Sequence, residues 1–423
     1  VVYTGVLKQS KYWSYSGETV RIADFSDFND RGEYFLLIPG VGTSHPFKIE
    51  DYVHQEVATA CLKGFYYQRA SLFLTPIYAG NWWRPKGHPD DEVKVHPSAA
   101  TVERPAGTII SASRGWYDAG DFNKYIVNSG ISTYTVLSMY EHFPEYFAVL
   151  KTNIPESENQ LPDVLDEALW NIRWMLTMQD PYDGGVYHKL TNPDFVGFIM
   201  PHLASGDRYV VQKSTQATLD FAAVMAQANR IFSEFEDQLQ DLADSCLIAA
   251  LNAWNWARQN PDSVYDQDRL NQYFSPKIHT GEYGGRNFTD EFQWAAMELF
   301  ITTGEDSFLA VTNPFADSDT HLPWWQNVRT LGFYSLLHYR KNIADVVDTT
   351  ALKRRIINFA NWFKEEKDRS AYAVMMGRRS WDFVWGSNSN AANQGILMIQ
   401  AFRVTQDSSY LAVSYTHLTL PTN

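Results

Sequence analysis

The pattern of hydrophobic and polar residues changes once along the chain, close to residue 51. Before that point, hydrophobic residues alternate with polar ones over residues 19–25, and a short apolar run covers 34–38. Clusters of Asn, Asp, Pro and Gly separate these stretches, and alternation with a period of two predicts β-strands. The strands are too few to close a sandwich, so we expect residues 1–50 to be the last strands of a β domain that begins upstream.

From residue 51 onward, hydrophobic residues recur with the spacing of an α-helix. One helix face carries a residue at every fourth position: Val53, Val57, Cys61 and Phe65. A second clear helix opens at Pro162, because proline is tolerated in the first turn. Similar patterns predict further helices at about 129–143, 214–232, 236–258, 290–303, 325–340, 347–366 and 389–404. We therefore predict an all-α barrel or a solenoid of helical hairpins, although no internal repeat supports the solenoid.

The composition excludes several classes of partner. A net charge of −14 would repel nucleic acid phosphates and anionic membrane surfaces, and no apolar run has transmembrane length. The 14 Trp, 24 Tyr and 25 Phe suit the apolar faces of sugar rings, although large helical cores also bury many rings. We expect Cys61 and Cys246 to be buried free thiols, since they are far apart in sequence and lie in helical patterns.

Residues 114–121 (Arg-Gly-Trp-Tyr-Asp-Ala-Gly-Asp) are the strongest candidate for chemistry. Asp118 and Asp121 lie three apart with only Ala-Gly between them, so both carboxylates can reach one space. Hydrolysis of a glycosidic bond by inversion needs a carboxylate base and a group that holds the water, while the acid lies roughly 6.5–9.5 Å from the base. The two aspartates fit the roles of the base and of the group that holds the water. A helix cap or a calcium loop is the alternative for an isolated DxxD.

These residues and several other segments resemble glycoside hydrolase family 9. That cellulase family has an (α/α)6 barrel, often preceded by an immunoglobulin-like domain. The matching segments run in order along nearly the whole chain, at 64–69, 115–121, 160–167, 183–189, 290–296 and 385–388. Residues 10–49 resemble the last strands of the immunoglobulin-like module. The resemblance implies three regions: a partial β domain at 1–50, a C-terminally truncated barrel at 51–413, and a tail at 414–423 that is unlike the family.

Roles for individual residues follow from the same resemblance. Asp121 matches the family's catalytic base, and Asp118 matches the aspartate that helps hold the attacking water. The resemblance implies substrate contacts for one histidine and three aromatic residues: His188, Tyr283, Trp385 and Trp116. For the histidine, a hydrogen-bonded structural role is the alternative. For the rings the alternative is burial in the core, and Trp116 is expected to pack beneath the aspartate loop.

Expectations for metals also come from the resemblance. Asp290 and Glu291 resemble a calcium-binding pair of some relatives, although an acidic pair in the first turn of a helix is also ordinary capping. Some relatives hold zinc on two Cys and two His. The first of those cysteines corresponds to Ala70, and His88 and His96 alone cannot replace a thiolate-rich site. We expect no zinc, no required cofactor, and calcium only as a structural ion.

One departure from the family lies toward the C-terminus. The family's proton donor is a glutamate preceded by a functional His and Arg, and the sequence contains no match to them. Residues 414–423 are unlike the family, and their Thr, Leu and Pro content is poor for a helix. We hypothesise a fragment whose tail comes from a frameshift or an assembly error. Because general acid–base assistance is worth about 10²–10⁴-fold, we expect the fragment to be nearly inactive and poorly soluble.

The predicted function is inverting hydrolysis of β-1,4-glucosidic bonds in cellulose or related β-glucans, outside the cell, in the periplasm or at the cell surface. The alternatives are an exo-acting β-glucosidase or glucosaminidase of the same family, and a carbohydrate-binding protein without catalysis. A polysaccharide lyase would need basic groups to bind uronates, and the acidic composition speaks against it. The sequence carries no signal for insertion into a membrane or for a particular oligomeric state.

Overall fold

A computed structural model describes residues 1–419. The strands are short: β1 (Lys11–Trp13), β2 (Glu18–Val20), β3 (Gly32–Tyr34), β4 (Leu37–Ile38), β5 (Gly42–Thr43), β6 (Phe47–Ile49), β7 (Val93–Val95), β8 (Ile109–Ile110), β9 (Lys124–Tyr125), β10 (Lys189–Thr191) and β11 (Tyr209–Val210). Among the described residues, no helix combines the length and the apolar character needed to cross a bilayer.

Helices are the main secondary structure: α1 (Gln55–Gln68), α2 (Pro76–Ala79), α3 (Ile126–His142), α4 (Pro144–Phe147), α5 (Asp163–Thr177), α6 (Thr215–Phe232), α7 (Glu236–Leu239), α8 (Leu242–Gln259), α9 (Gln267–Tyr273), α10 (Thr289–Thr303), α11 (Ser307–Thr312), α12 (Arg329–His338), α13 (Thr349–Arg369), α14 (Ser387–Thr405) and α15 (Ser408–Thr419). They form two compact units whose boundaries fall within α1 and α13. Residues 62–352 form the larger unit, and residues 1–61 with those from 353 onward form the smaller one.

The smaller unit begins with three antiparallel ribbons, which confirms the prediction of strands in residues 1–50. Strand β1 pairs with β2, β3 with β6, and β4 with β5. The register places Tyr12 opposite Thr19 and Glu33 opposite Lys48. Rings near the first ribbon pack against each other, with Trp13 and Tyr372 centred 6.3 Å apart.

Helix α15 contradicts the expectation that residues from 414 onward are poor for a helix, because it continues to Thr419. It packs against α14. Val413 and Ser414 are both buried, and the Ser414 hydroxyl donates to the Gly395 carbonyl at 3.0 Å. Packing of this kind commonly outweighs weak helix propensity.

The larger unit is built around α6, whose small and aliphatic side chains are buried along nearly its whole length. The helix begins where predicted, because the Ser214 hydroxyl accepts from the Ala217 N–H at 3.2 Å and so caps it. Helix α6 packs against α3, α8 and α10. Helix α3 also packs against α5, and α10 packs against α12.

Two other predictions, one about a helix and one about the burial of a cysteine, were wrong. The pattern over 236–258 predicted one helix, but the chain forms α7 and α8 with Gln240 between them at φ +46°, where a helix cannot continue. Cys246 is buried in α8 as expected, whereas Cys61, on α1, is exposed to solvent.

A five-stranded sheet in the larger unit brings its loops together. The strand order is β8-β7-β11-β10-β9, with β11 parallel to β7 and the other neighbours antiparallel. In the register, Lys189 of β10 lies opposite Tyr125 of β9. Strand β9 follows directly after residues 114–121, so the sheet fixes the C-terminal side of the segment that carries the aspartate pair.

Candidate active site

The aspartate segment is held by backbone contacts that require a glycine. Gly115 adopts φ +79°, and a Cβ atom there would lie 2.8 Å from the Trp174 ring, so a larger residue does not fit. The Gly115 carbonyl accepts from the Ala70 N–H at 2.8 Å, and the Tyr117 N–H donates to the Gln68 carbonyl at 2.9 Å. The segment is therefore attached to the residues that follow α1.

Asp121 is anchored through one of its two carboxylate oxygens. Its Oδ2 accepts from Asn123 Nδ2 at 2.6 Å and from the Tyr125 hydroxyl at 2.9 Å. Within residues 1–419, no protein donor lies at hydrogen-bond distance from Oδ1. The side chain is partly exposed. One oxygen thus fixes the carboxylate, and the other is available to a water molecule.

Asp118 receives a hydrogen bond on each oxygen. Asn128 Nδ2 donates to Oδ1 at 2.6 Å, and the Tyr283 hydroxyl donates to Oδ2 at 2.9 Å. Burial is the largest influence on this carboxyl and raises its pKa, the two hydrogen bonds act in the opposite direction, and the nearby charge of Asp121 raises it further. Each oxygen keeps one lone pair for a second contact, so Asp118 can also accept a hydrogen bond from water.

Tyr283 reaches this pair from a distant part of the chain, as a ring predicted to contact substrate. Its ring meets Tyr125 edge-on at 4.8 Å and Trp325 at 5.2 Å. The Tyr125 hydroxyl also accepts from the Gly281 N–H at 3.2 Å. The structure therefore brings together Asp118, Asp121 and Tyr283, and it adds Tyr125 as the group that joins them.

His188 lies inside the protein, with both ring nitrogens engaged by protein atoms. Nδ1 lies 2.8 Å from the Ser214 hydroxyl, and Nε2 lies 2.7 Å from the Glu282 carbonyl. The ring stacks on Tyr265 at 4.2 Å. Burial lowers the pKa of His188 to about 3, so the imidazole is neutral at physiological pH. In this arrangement the histidine connects β10, the start of α6 and the loop before Tyr283.

Trp116 and Trp385 occupy different environments. Trp116 is buried beneath the aspartate segment, where its indole N–H donates to Glu167 Oε1 at 2.8 Å and its ring contacts Phe65. Glu167 also pairs with the buried Arg69. Trp385 belongs to the smaller unit and is 92% exposed. Trp116 therefore packs beneath the aspartate segment, as the alternative for this ring predicted.

Asp290 and Glu291 lie in the first turn of α10, as the sequence predicted. Asp290 Oδ2 accepts from the Val328 N–H at 2.8 Å. Both oxygens of the buried Asp220, and Oε2 of Glu291, lack a protein partner in the described part of the chain. Burial is the largest influence and raises the pKa values of Asp220 and Glu291 well above the usual range, and the nearby charge of Asp290 raises both further. Across residues 1–419, no three His, Cys, Asp or Glu side chains are arranged to hold a metal ion.

Three residues of the site were missed by the sequence reasoning: Asn123, Tyr125 and Asn128. The available signal was their position, since all three carry hydrogen-bonding side chains and follow Asp121 within seven residues. Asn123 also accepts on its Oδ1 from the Asn192 N–H at 2.9 Å, which links the aspartate segment to β10.

Comparisons with known proteins identify the family of this chain. The sequence model of glycosyl hydrolase family 9 matches residues 54–419, and that of the cellulase N-terminal ig-like domain matches residues 1–43. The chain belongs to glycosyl hydrolase family 9. The predictions of that family, of a glycoside hydrolase, and of a mainly α (α/α)6 barrel with immunoglobulin-like strands before it are therefore confirmed.

Individual relatives match over most of the chain. A xyloglucan-specific endo-beta-1,4-glucanase of Bacteroides ovatus is 43% identical over 420 residues, covering 99% of this chain and 71% of that protein. Endoglucanase D of Acetivibrio thermocellus is 31% identical, covering 97% of this chain and 64% of that protein. A solved Bacteroides ovatus GH9 structure superposes with a TM-score of 0.92 at 43% identity, covering 97% of this chain and 75% of that one.

Proposed function

We propose that this chain carries the hydrolytic site of an inverting endo-β-1,4-glucanase, with Asp121 as the base and Asp118 holding the attacking water. The observation that carries the proposal is the asymmetry of Asp121. Its Oδ2 is anchored by Asn123 and Tyr125, while Oδ1 has no described donor and the side chain reaches solvent. A base must keep one oxygen free to take a proton from water.

The proposed reaction uses one water molecule. Asp121 removes one proton from the water as its oxygen bonds to the anomeric carbon, and Asp118 accepts a hydrogen bond from the other water hydrogen. The bond from the anomeric carbon to the glycosidic oxygen breaks on the opposite face of the ring, so a β-linked substrate gives an α-configured product. The leaving oxygen takes its proton from a general acid on that face.

The rings beside the aspartate pair and the relatives both indicate the substrate class. Tyr283 bonds Asp118 and meets Trp325 edge-on, and both rings are partly exposed, as suits contact with the apolar faces of glucose units. The names of both curated relatives specify endo-acting glucanases, and one specifies xyloglucan. We therefore favour internal cleavage of β-1,4-glucan backbones, including branched xyloglucan. Such polymers do not enter cells, so action outside the cytoplasm is part of the proposal.

No step of this mechanism uses a metal. Among residues 1–419, the candidate groups for a structural calcium ion are the carboxylates of Asp220, Asp290 and Glu291, but these three are not arranged to hold a metal ion.

The experiment is hydrolysis of 2,4-dinitrophenyl β-cellobioside, followed by release of dinitrophenolate. This leaving group departs without a proton, so the assay tests the base and the water-holder without an acid. We expect Asp121→Asn to lower the rate by about 10²–10⁴-fold. Asp91→Asn, at an exposed aspartate of the same unit, is the matched control and should leave the rate unchanged. Equal rates for both variants would contradict the proposal.

A further inference from the structure

Strand β10 and the residue before it hold the loop at 280–283 at three successive points. Nε2 of His188 meets the Glu282 carbonyl at 2.7 Å. Nζ of Lys189 donates to the Gly281 carbonyl at 2.6 Å and to the Thr280 hydroxyl at 3.0 Å. The Thr191 hydroxyl meets the Thr280 hydroxyl at 2.6 Å. The loop that presents Tyr283 to Asp118 is therefore fastened to the strand beside Asp121.

Lys189 is the only charged member of this fastening, and its surroundings are unusual for a lysine. The side chain is 0% exposed. Nζ makes a further bond to Gln267 Oε1 at 2.7 Å and lies 5.3 Å from the centre of the Tyr265 ring. Among the described residues, no carboxylate lies within ion-pair distance of it. Burial of an ammonium without a paired anion is costly, so its presence calls for a compensating role.

The contacts of Lys189 lead to both catalytic carboxylates. The Gly281 N–H donates to the Tyr125 hydroxyl at 3.2 Å, and that hydroxyl donates to Asp121 Oδ2 at 2.9 Å. Two residues further on, the Tyr283 hydroxyl donates to Asp118. The positive charge also interacts with Asp121 through space. Removing the charge would therefore disturb the loop that supports the Tyr125 and Tyr283 hydroxyls.

We propose that Lys189 is a positioning residue of the hydrolytic site, whose ammonium group holds the 280–283 loop that presents Tyr283 to Asp118. This inference rests on the proposed function and deepens it. Lys189 does not touch the reacting atoms, and it acts through Gly281, Tyr125 and Tyr283. The three nearest acceptors around Nζ match the three N–H donors of an ammonium group, whereas a neutral amine can donate only two hydrogen bonds.

The surroundings of Lys189 make its protonation sensitive to pH. Burial is the largest influence and lowers the pKa of Lys189 to about 7, while the carboxylates of Glu282 and Asp121 act to raise it. The other titratable groups facing it, Tyr125 and Tyr265, have pKa values raised by burial, so both stay neutral. As pH rises through about 7, Lys189 loses its proton and one of its three hydrogen bonds. Hydrolysis should fall over the same range.

The test is a set of pH–rate profiles with 2,4-dinitrophenyl β-cellobioside. Lys189→Arg keeps a positive charge at all working pH values. The alkaline limb of its pH–rate profile should therefore move to higher pH by more than one unit. Lys189→Met removes the charge and loosens the loop that presents Tyr283, so kcat should fall about 10–100-fold. Because the Tyr283 hydrogen bond lowers the pKa of Asp118, the acidic limb of kcat/KM should move to higher pH by about one unit. Lys94→Met, at a partly exposed lysine of the same sheet, is the control and should leave both limbs unchanged.

The outcomes separate this inference from the proposed function. If Asp121→Asn abolishes hydrolysis while both Lys189 variants keep the wild-type limbs, the role of Lys189 is overturned and the function stands. If the rate falls equally at every pH and the limbs of the pH–rate profile do not move, Lys189 contributes only packing, and its positioning role is also overturned. If Asp121→Asn hydrolyses normally, the proposed function itself fails. Where the bulkier arginine prevents folding, the acidic limb of Lys189→Met decides the question.

Discussion

Replacing Asp90 by Asn tests whether buried ion pairs hold residues 114–121 in place. Asp90 is 5% exposed and accepts from Arg208 Nε at 2.8 Å and Nη2 at 3.2 Å, and it pairs with Lys124 Nζ at 2.8 Å. Lys124 also donates to the carbonyls of Ala112 and Arg114, and Arg208 donates to that of Phe122. One buried anion therefore holds the two cations that fasten both ends of the segment.

The magnitude follows from what the substitution leaves behind. Asn keeps a carbonyl acceptor but removes the charge, so two buried cations lose their counter-ion. Breaking a buried ion pair from one side commonly costs about 3–5 kcal/mol. The backbone carbonyls still accept from Lys124 and Arg208, so we expect a loss near the lower end, about 3 kcal/mol. Burial already lowers the pKa of Lys124 to about 8, and without Asp90 it should fall further.

The assay is urea unfolding of Asp90→Asn, with Asp91→Asn as the exposed neighbouring control. The control should change the free energy of unfolding by less than about 0.5 kcal/mol. Because the cluster is buried, raising the salt concentration should leave the difference between the two variants intact. A loss below about 1 kcal/mol for Asp90→Asn, or a difference that salt removes, would show that the cluster does not support the segment as described.

Other substitutions test separate parts of the structure. Burial raises the pKa of Asp166 to about 7, so Asp166→Asn should raise the melting temperature at pH 8, where the wild-type carboxyl is ionised, and leave it unchanged at pH 4. Tyr283→Phe removes a donor to Asp118, so the acidic limb of kcat/KM should move to higher pH; an unmoved limb would contradict that contact. Gly115→Ala should cost about 2–4 kcal/mol in urea unfolding, because Cβ meets Trp174; a cost under 1 kcal/mol would contradict the tight fit.

The helices were predictable where one face carries a regular hydrophobic stripe, as along α5, or where a strong cap marks the start, as at Ser214. Predictions failed where a backbone conformation or tertiary packing decides the outcome. The break at Gln240 depends on one residue with positive φ, and α15 depends on contacts with α14. Neither is visible in a local pattern, because propensity and periodicity describe only neighbours along the chain.

For the site, the sequence indicated Asp118 and Asp121 because their spacing and the resemblance agree. It did not indicate what surrounds them. Tyr125 meets Gly281 across 156 positions, and Lys189 meets that residue across 92. Contacts at such separations arise from the packing of distant segments. His188 is buried because three separate elements pack around it. Its neighbours in sequence therefore could not show whether it contacts substrate or has a structural role.

The anomeric configuration of the first product tests the central claim most directly. Proton NMR during the first minutes of 2,4-dinitrophenyl β-cellobioside hydrolysis distinguishes α- from β-cellobiose before the two equilibrate. If Asp121 activates water that Asp118 helps to hold, the first product is the α-anomer, because a single displacement inverts the carbon. A β-anomer at the earliest times would mean that a protein group attacks the sugar itself, and would contradict the assignment of Asp121 as base.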